Sequence, residues 1–167
     1  MKFSVTEHIK APRAEVLNAM GDPGYYESLG GALTSLERPQ LLSSTTVDGQ
    51  LSLHVRYAFS GDVAGPVRMA VDPDKLTWVI STDVDLAAHR GRFTVVPDFY
   101  GSLLTCEGTV AYDEGPDGTL ETVSGDLTVN IPLLGGTAEK AILGGFTQHL
   151  ETEAEALAAY CSAIREA

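Results

Sequence analysis

The stretch Leu133–Arg165, LLGGTAEKAILGGFTQHLETEAEALAAYCSAIR, decides the fold. Its apolar residues Ala138, Ile142, Phe146, Leu150, Leu157, Cys161 and Ile164 recur at helical spacing, and Glu139, Lys140, Glu151, Glu155 and Arg165 fill other positions. A helix of about 30 residues is roughly 45 Å long. Such a helix has to lie along something equally long, and the residues before it read as strands.

Immediately upstream, Leu120 to Ile131 is a strand with Val123, Leu127, Val129 and Ile131 in phase. The turn Gly115-Pro116-Asp117-Gly118 separates it from a strand at Leu103 to Tyr112. His89 to Val96 is a shorter strand with Phe93 and Val95 on one face, and Leu76, Trp78, Ile80 and Val84 alternate after a turn at Asp72-Pro73-Asp74. Gly61 to Pro66 breaks the pattern. Leu51, Leu53, Val55, Tyr57 and Phe59 then alternate with Ser52, His54, Arg56 and Ala58, the signature of a half-buried strand. Asp48-Gly49 is a hairpin turn, and Leu33 to Thr46 is a strand of weaker alternation.

The first residues complete the pattern. Phe3, Val5 and Ile9 share one parity of a strand over residues 2–9, with Lys2, Ser4, Thr6 and His8 on the other, and Glu7 interrupts the apolar row. Pro12 suits the first position of a helix that carries Val16, Leu17 and Met20 and ends at Gly21. Asp22 caps a second short helix with Tyr25, Tyr26 and Leu29, stopped by Gly30-Gly31. The order is therefore strand, two short helices, about six strands and one long helix. This predicts an α+β fold: a curved antiparallel sheet of about six to seven strands wrapped around a long C-terminal helix. Residues 1–167 form one domain, because the helix covers the strands before it.

Composition agrees. A chain of 167 residues is the size of one domain and can bury a full core. The formal net charge of −12 argues against nucleic acid or an anionic membrane surface as partner. No basic start followed by an apolar run suggests a signal peptide, and no stretch of about 18 apolar residues suggests a membrane span, so the expected compartment is the cytoplasm. Cys106 and Cys161 are expected to be reduced and buried.

Three segments resemble a known superfamily. Ala11-Pro12-Arg13-Ala14-Glu15-Val16, then Asp22-Pro23-Gly24-Tyr25-Tyr26, is similar to the opening of the START and birch-pollen-allergen superfamily, SRPBCC, with the helix-grip fold. The segment Ile131-Pro132-Leu133-Leu134-Gly135-Gly136-Thr137-Ala138-Glu139-Lys140 resembles a bacterial branch of it, the Domain of Unknown Function 2505 family. The resemblance implies a deep apolar pocket between sheet and helix. That superfamily includes lipid and steroid carriers, hormone receptors, polyketide cyclases and chaperone activators. No catalytic residue transfers from the branch.

The expected wall of the pocket is Leu53, Val55, Tyr57, Trp78, Ile80, Phe93, Val95, Leu104 and Cys106 from strands, with Ile142, Phe146 and His149 from the helix. Apolar residues at period two also fill solid cores, and that alternative stands beside the pocket. Gly144-Gly145 reads either as a kink or close approach that makes room for a ligand, or as tight packing. Glu7, Tyr57, His89 and His149 are the candidate acids and bases. Asp83 and Asp85 with His89 have no metal-site spacing, and a hairpin turn accounts for the aspartates. His8 and His54 fall on polar parities, and Glu151, Glu153 and Glu155 read as a solvated helix face. No nucleophile motif, phosphate loop, cofactor or metal site is indicated. The favoured function is non-catalytic binding of a small hydrophobic molecule, as carrier or sensor. The alternatives are a cyclase- or hydratase-like enzyme in the same cavity and a protein-interaction module.

Overall fold

The computed structural model describes residues 1–29, 36–37, 39–60, 65–69 and 71–167. The elements are β1 (Lys2–Ile9), α1 (Arg13–Met20), α2 (Pro23–Ser28), β2 (Gln40–Val47), β3 (Gln50–Ala58), α3 (Gly65–Arg68), β4 (Thr77–Asp85), β5 (Arg90–Pro97), β6 (Leu104–Gly115), β7 (Gly118–Val129) and α4 (Gly135–Glu166), with a 3-10 turn at Pro73–Lys75. The strands form one antiparallel sheet in the order β1-β7-β6-β5-β4-β3-β2. It curls around α4, the expected helix-grip arrangement.

The alternation of β3 is realised as read: Leu51, Leu53, Val55 and Tyr57 are buried and His54 is exposed. Asp48 and Gly49 both have positive φ, as the two-residue hairpin between β2 and β3 requires. β2 starts later than the sequence suggests, at Gln40, and Leu33, Gly30 and Gly31 lie outside the described residues, as does most of the 61–66 break. The register slips between Leu41 and Ser43, a bulge on an edge strand, which explains the weak alternation there. The β6–β7 hairpin is tighter than expected. β6 runs on to Gly115 and β7 begins at Gly118, so only Pro116 and Asp117 turn the chain. Likewise Pro12 precedes α1, whose first residue is Arg13.

At the other end of β7, the motif that carries the resemblance clasps one peptide. Glu139 Oε1 accepts the Val129 N–H at 3.0 Å, and a Cβ at Gly135 would sit 2.4 Å from the Val129 carbonyl oxygen. The first turn of α4 thus docks against the last residue of β7, which starts the helix back across the sheet. Asp22 fastens the far half: its carboxylate accepts from Gly24 N at 2.9 Å, capping α2, and from the Tyr160 hydroxyl of α4 at 2.9 Å. Between these clasps Leu150, Ala154, Leu157 and Cys161 of α4 are buried, with Leu157 and Cys161 packed among Ile9, Val16, Tyr25 and Tyr26.

Gly144 and Gly145 do neither of the things the sequence suggests. α4 is one continuous helix through them, and a Cβ on either would meet nothing within 4 Å. Gly144→Ala and Gly145→Ala are therefore each expected to raise stability by about 0.5–1 kcal/mol, from helix propensity alone. A urea titration that shows either variant destabilised would overturn this.

Candidate functional site

The inward face of the sheet is defined by register. Across β1, β7 and β6 the inward rows are Val5–Val123–Val110, Glu7–Glu121–Tyr112 and Phe3–Gly125–Gly108. The row continues from Gly108 to Phe93 on β5. A Cβ on Gly108 would lie 2.0 Å from the Ser124 carbonyl oxygen, so the sheet can close up here only over glycine. The Phe3 and Phe93 rings lie over this glycine pair, and Phe146 of α4 packs edge-on against Phe3 at 5.7 Å.

Most of the expected wall residues are on this face. Leu53, Val55, Tyr57 and Phe93 are buried. Trp78, Ile80, Val95, Leu104, Cys106 and Phe146 are only half-buried although they point inward. Tyr57 stacks on Trp78 with ring centroids 6.1 Å apart, and His149 of α4 meets Tyr57 edge-on at 5.4 Å. Ile142 is the exception: it is 39% exposed. Leu143 takes the sheet-facing place beside Leu127, Val129 and Ala138, and a one-residue step of about 100° turns Ile142 to solvent. Two surface clefts, of about 380 Å³ beside Lys10–Arg13 and about 440 Å³ along Arg90–Arg92, are lined by none of the expected wall residues.

Of the candidate acids and bases, Glu7, Tyr57 and His149 face the interior, whereas His89 sits in the β4–β5 turn with φ 56°. In that turn Asp85 accepts from the Ala87 and Ala88 amides, both at 2.9 Å, and these bonds hold its carboxyl below the usual range. The hairpin reading of that acidic segment is the one realised. Among the described residues no three His, Cys, Asp or Glu side chains are placed to hold a metal ion.

Two inward carboxyl groups escape the sequence reading. Glu121 is buried, opposite Glu7 on one side and Tyr112 on the other. Glu153, which the charge run groups with Glu151 and Glu155 on a solvated face, turns inward instead: its side chain is 18% exposed and its Oε2 lies 3.6 Å from His149 Nε2. Both signals are in the sequence. Glu121 shares parity with Val123, Leu127 and Val129, and Glu153 lies three residues past Leu150 and four before Leu157, within the apolar stripe. Glu151 and Glu155 are exposed, as expected.

Electrostatics follow from this crowding. Burial, then the charges of Glu153 and Glu7, raise the Glu121 carboxyl well above the usual range, opposed by the Tyr112 hydroxyl, which favours the ionised form. Burial also raises Glu153. Glu7 is raised more gently, by burial and then by Glu151. Burial pushes His149 down to about 4, so its imidazole is neutral near pH 7 and brings no positive charge to these carboxyl groups. The Tyr25 hydroxyl and both His149 nitrogens are buried without a hydrogen-bond partner.

A seven-stranded antiparallel sheet curled around one long helix, with a partly open apolar inner face, defines a helix-grip domain. Residues 4–161 match the family described as Protein of unknown function (DUF2505), and the chain belongs to that family. It is similar in structure to protein TTHA0849 from Thermus thermophilus, at TM-score 0.66 and 17% identity over 98% of this chain and 99% of that one. It is also similar to a START superfamily protein from Mycobacterium smegmatis, at TM-score 0.56 and 20% identity over 98% of both chains. The structure of Ara h 8.0201 is similar at TM-score 0.57 and 12% identity, again over 98% of both chains. At these identities the likeness is one of fold. A comparison with curated proteins found no match. Among the described residues no helix is long and apolar enough to cross a membrane.

Proposed function

We propose that this domain binds a small hydrophobic molecule between sheet and α4, as a carrier or sensor. One observation carries the reading. Trp78, Ile80, Val95, Leu104, Cys106 and Phe146 point inward yet stay half-buried. A solid core would bury such residues fully. Half-buried apolar side chains on an inward face are what an apolar ligand covers, with a favourable term of about 25 cal/mol per Å² removed from water.

The test uses Trp78, the chain's single tryptophan. N-phenyl-1-naphthylamine is expected to gain fluorescence on mixing and to quench Trp78 emission by energy transfer. Val95→Lys is expected to weaken uptake about tenfold or more, since it puts a charge on the wall, while Ile142→Lys on the exposed face leaves it unchanged. Native mass spectra free of ligand, together with no probe uptake, would sink the proposal.

A second reading, acid–base catalysis in the same space, is supported by the buried carboxyl of Glu121 and the half-buried carboxyl of Glu153 beside neutral His149. Activity retained in both Glu121→Gln and Glu153→Gln would remove it.

A further inference from the structure

Among the described residues, the interior holds an acidic centre that no Lys or Arg ion pair reaches. Glu121 on β7 is 6% exposed and faces Glu7 on β1. Glu153 reaches the same region from α4, and its 18% exposure marks where the centre meets solvent. The ion pairs of Arg13, Arg56, Arg90 and Arg165 are with Glu114, Asp98, Asp113 and Glu15, so none of these cations serves the centre. His149 is the base beside Glu153, and it is neutral near pH 7.

A second observation points to a missing partner. The Tyr25 hydroxyl, on a residue only 1% exposed, has no hydrogen-bond partner, and neither does either nitrogen of His149, whose side chain is 5% exposed. Buried polar groups of this kind are normally satisfied. Tyr25 and Tyr57 both lie within electrostatic reach of Glu121 and Glu153. Three carboxyl groups, buried polar atoms without partners and aromatic faces make an environment suited to an ammonium group, through charge-assisted hydrogen bonds and cation–π contact. A metal ion fits poorly, because the described His, Cys, Asp and Glu side chains do not converge as ligands.

We infer that the ligand of this domain is a hydrophobic amine, bound as its ammonium with the charged head at Glu121 and Glu153 and the apolar body against the Trp78–Val95 wall. The inference rests on the proposed hydrophobic-ligand reading and adds the polarity of the head group. Groups facing the centre are Glu7 of β1, Tyr57 of β3, Tyr112 of β6, Tyr25 and Tyr26 of α2, and His149 and Cys161 of α4. In the free protein the raised carboxyls hold protons, which an incoming ammonium displaces. Amine affinity therefore rises with pH across the titration of Glu121 and Glu153.

The experiment compares 1-aminooctane, 1-octanol and octanoate by Trp78 fluorescence on the full chain at several pH values, with N-phenyl-1-naphthylamine uptake recorded in the same samples. The amine is expected to bind at least about tenfold more tightly than the alcohol at neutral pH, with a gap that widens as pH rises. Glu121→Gln and Glu153→Gln should each shrink the gap, amine binding falling more than octanol binding, while far-UV circular dichroism stays unchanged. An amine that binds no more tightly than octanol, or an octanoate that binds most tightly, overturns the ammonium inference. Probe uptake then reports separately whether hydrophobic binding stands; if uptake fails too, both readings fall.

Discussion

Leu157→Ala is expected to cost about 3 kcal/mol of stability, within the range of roughly 2–5 kcal/mol for truncating a buried leucine. Leu157 is 1% exposed and sits where α4 meets β1, α1 and α2, packed with Ile9, Val16, Ala19, Tyr25 and Tyr26. Little around it can collapse into the space left. The Tyr26 hydroxyl donates to the Met20 carbonyl at 2.9 Å, and the Tyr25 ring is held edge-on between Tyr26 and Tyr160, with centroids 5.0 and 5.5 Å away. The loss therefore includes a cavity as well as the transfer term. Against a typical total of about 5–15 kcal/mol it is a large fraction. Ile164→Ala, at a residue 54% exposed on the same helix, is expected to stay within about 0.5 kcal/mol. Urea midpoints at constant slope measure both. Equal effects from the two substitutions would mean that α4 does not dock as described.

The fold is legible because two periods dominate the chain. β3 alternates without a break, and α4 keeps one apolar stripe over most of its length. Legibility fails where geometry depends on a partner strand or on helix phase. The bulge in β2 and the two-residue β6–β7 turn are properties of pairing, which no single-strand pattern encodes. Ile142 is misplaced because one step around a helix separates it from Leu143, and only docking decides which of them meets β7. The candidate site fails in a different way. Glu7 stands out because its carboxylate breaks an apolar row, and Glu121 breaks an apolar row in the same manner directly opposite. Glu153 is hidden by its neighbours: Glu151, Glu153 and Glu155 look alike in sequence, yet successive odd positions on a helix point about 200° apart. The polar residues in this interior follow the same periodicity as the apolar ones, so charge run lengths mislead where phase does not.

Thermal stability is expected to fall as pH rises from about 5 to about 8, the opposite of a protein held by paired carboxylates. Glu121 and Glu153 keep their protons in the fold at pH values where the unfolded chain, with carboxyls near 4.5, has released them. The folded state then binds more protons than the unfolded state. Each such group lowers stability by about 1.4 kcal/mol per pH unit, from the ordinary carboxyl value up to its own raised one, and no further above that. His149 acts in the reverse sense. Its folded value near 4 lies below its ordinary 6.5, so the unfolded chain gains a proton first, and this contribution is lost as pH falls from 6.5 toward 4. Two carboxyls outweigh one imidazole between those limits, and above 6.5 the carboxyls act alone. Glu121→Gln removes one of the two ionisations but keeps an acceptor for the Tyr112 hydroxyl. It is expected to leave stability nearly unchanged at about pH 5, to raise it by about 4 kcal/mol at about pH 8, and to reduce the slope between them by about half. Melting temperatures of both proteins across that range decide the matter. A wild-type profile that rises with pH, or a Glu121→Gln profile parallel to it, would show that this carboxyl is ionised and satisfied in the fold, and with it would go the acidic centre from which an amine ligand is inferred.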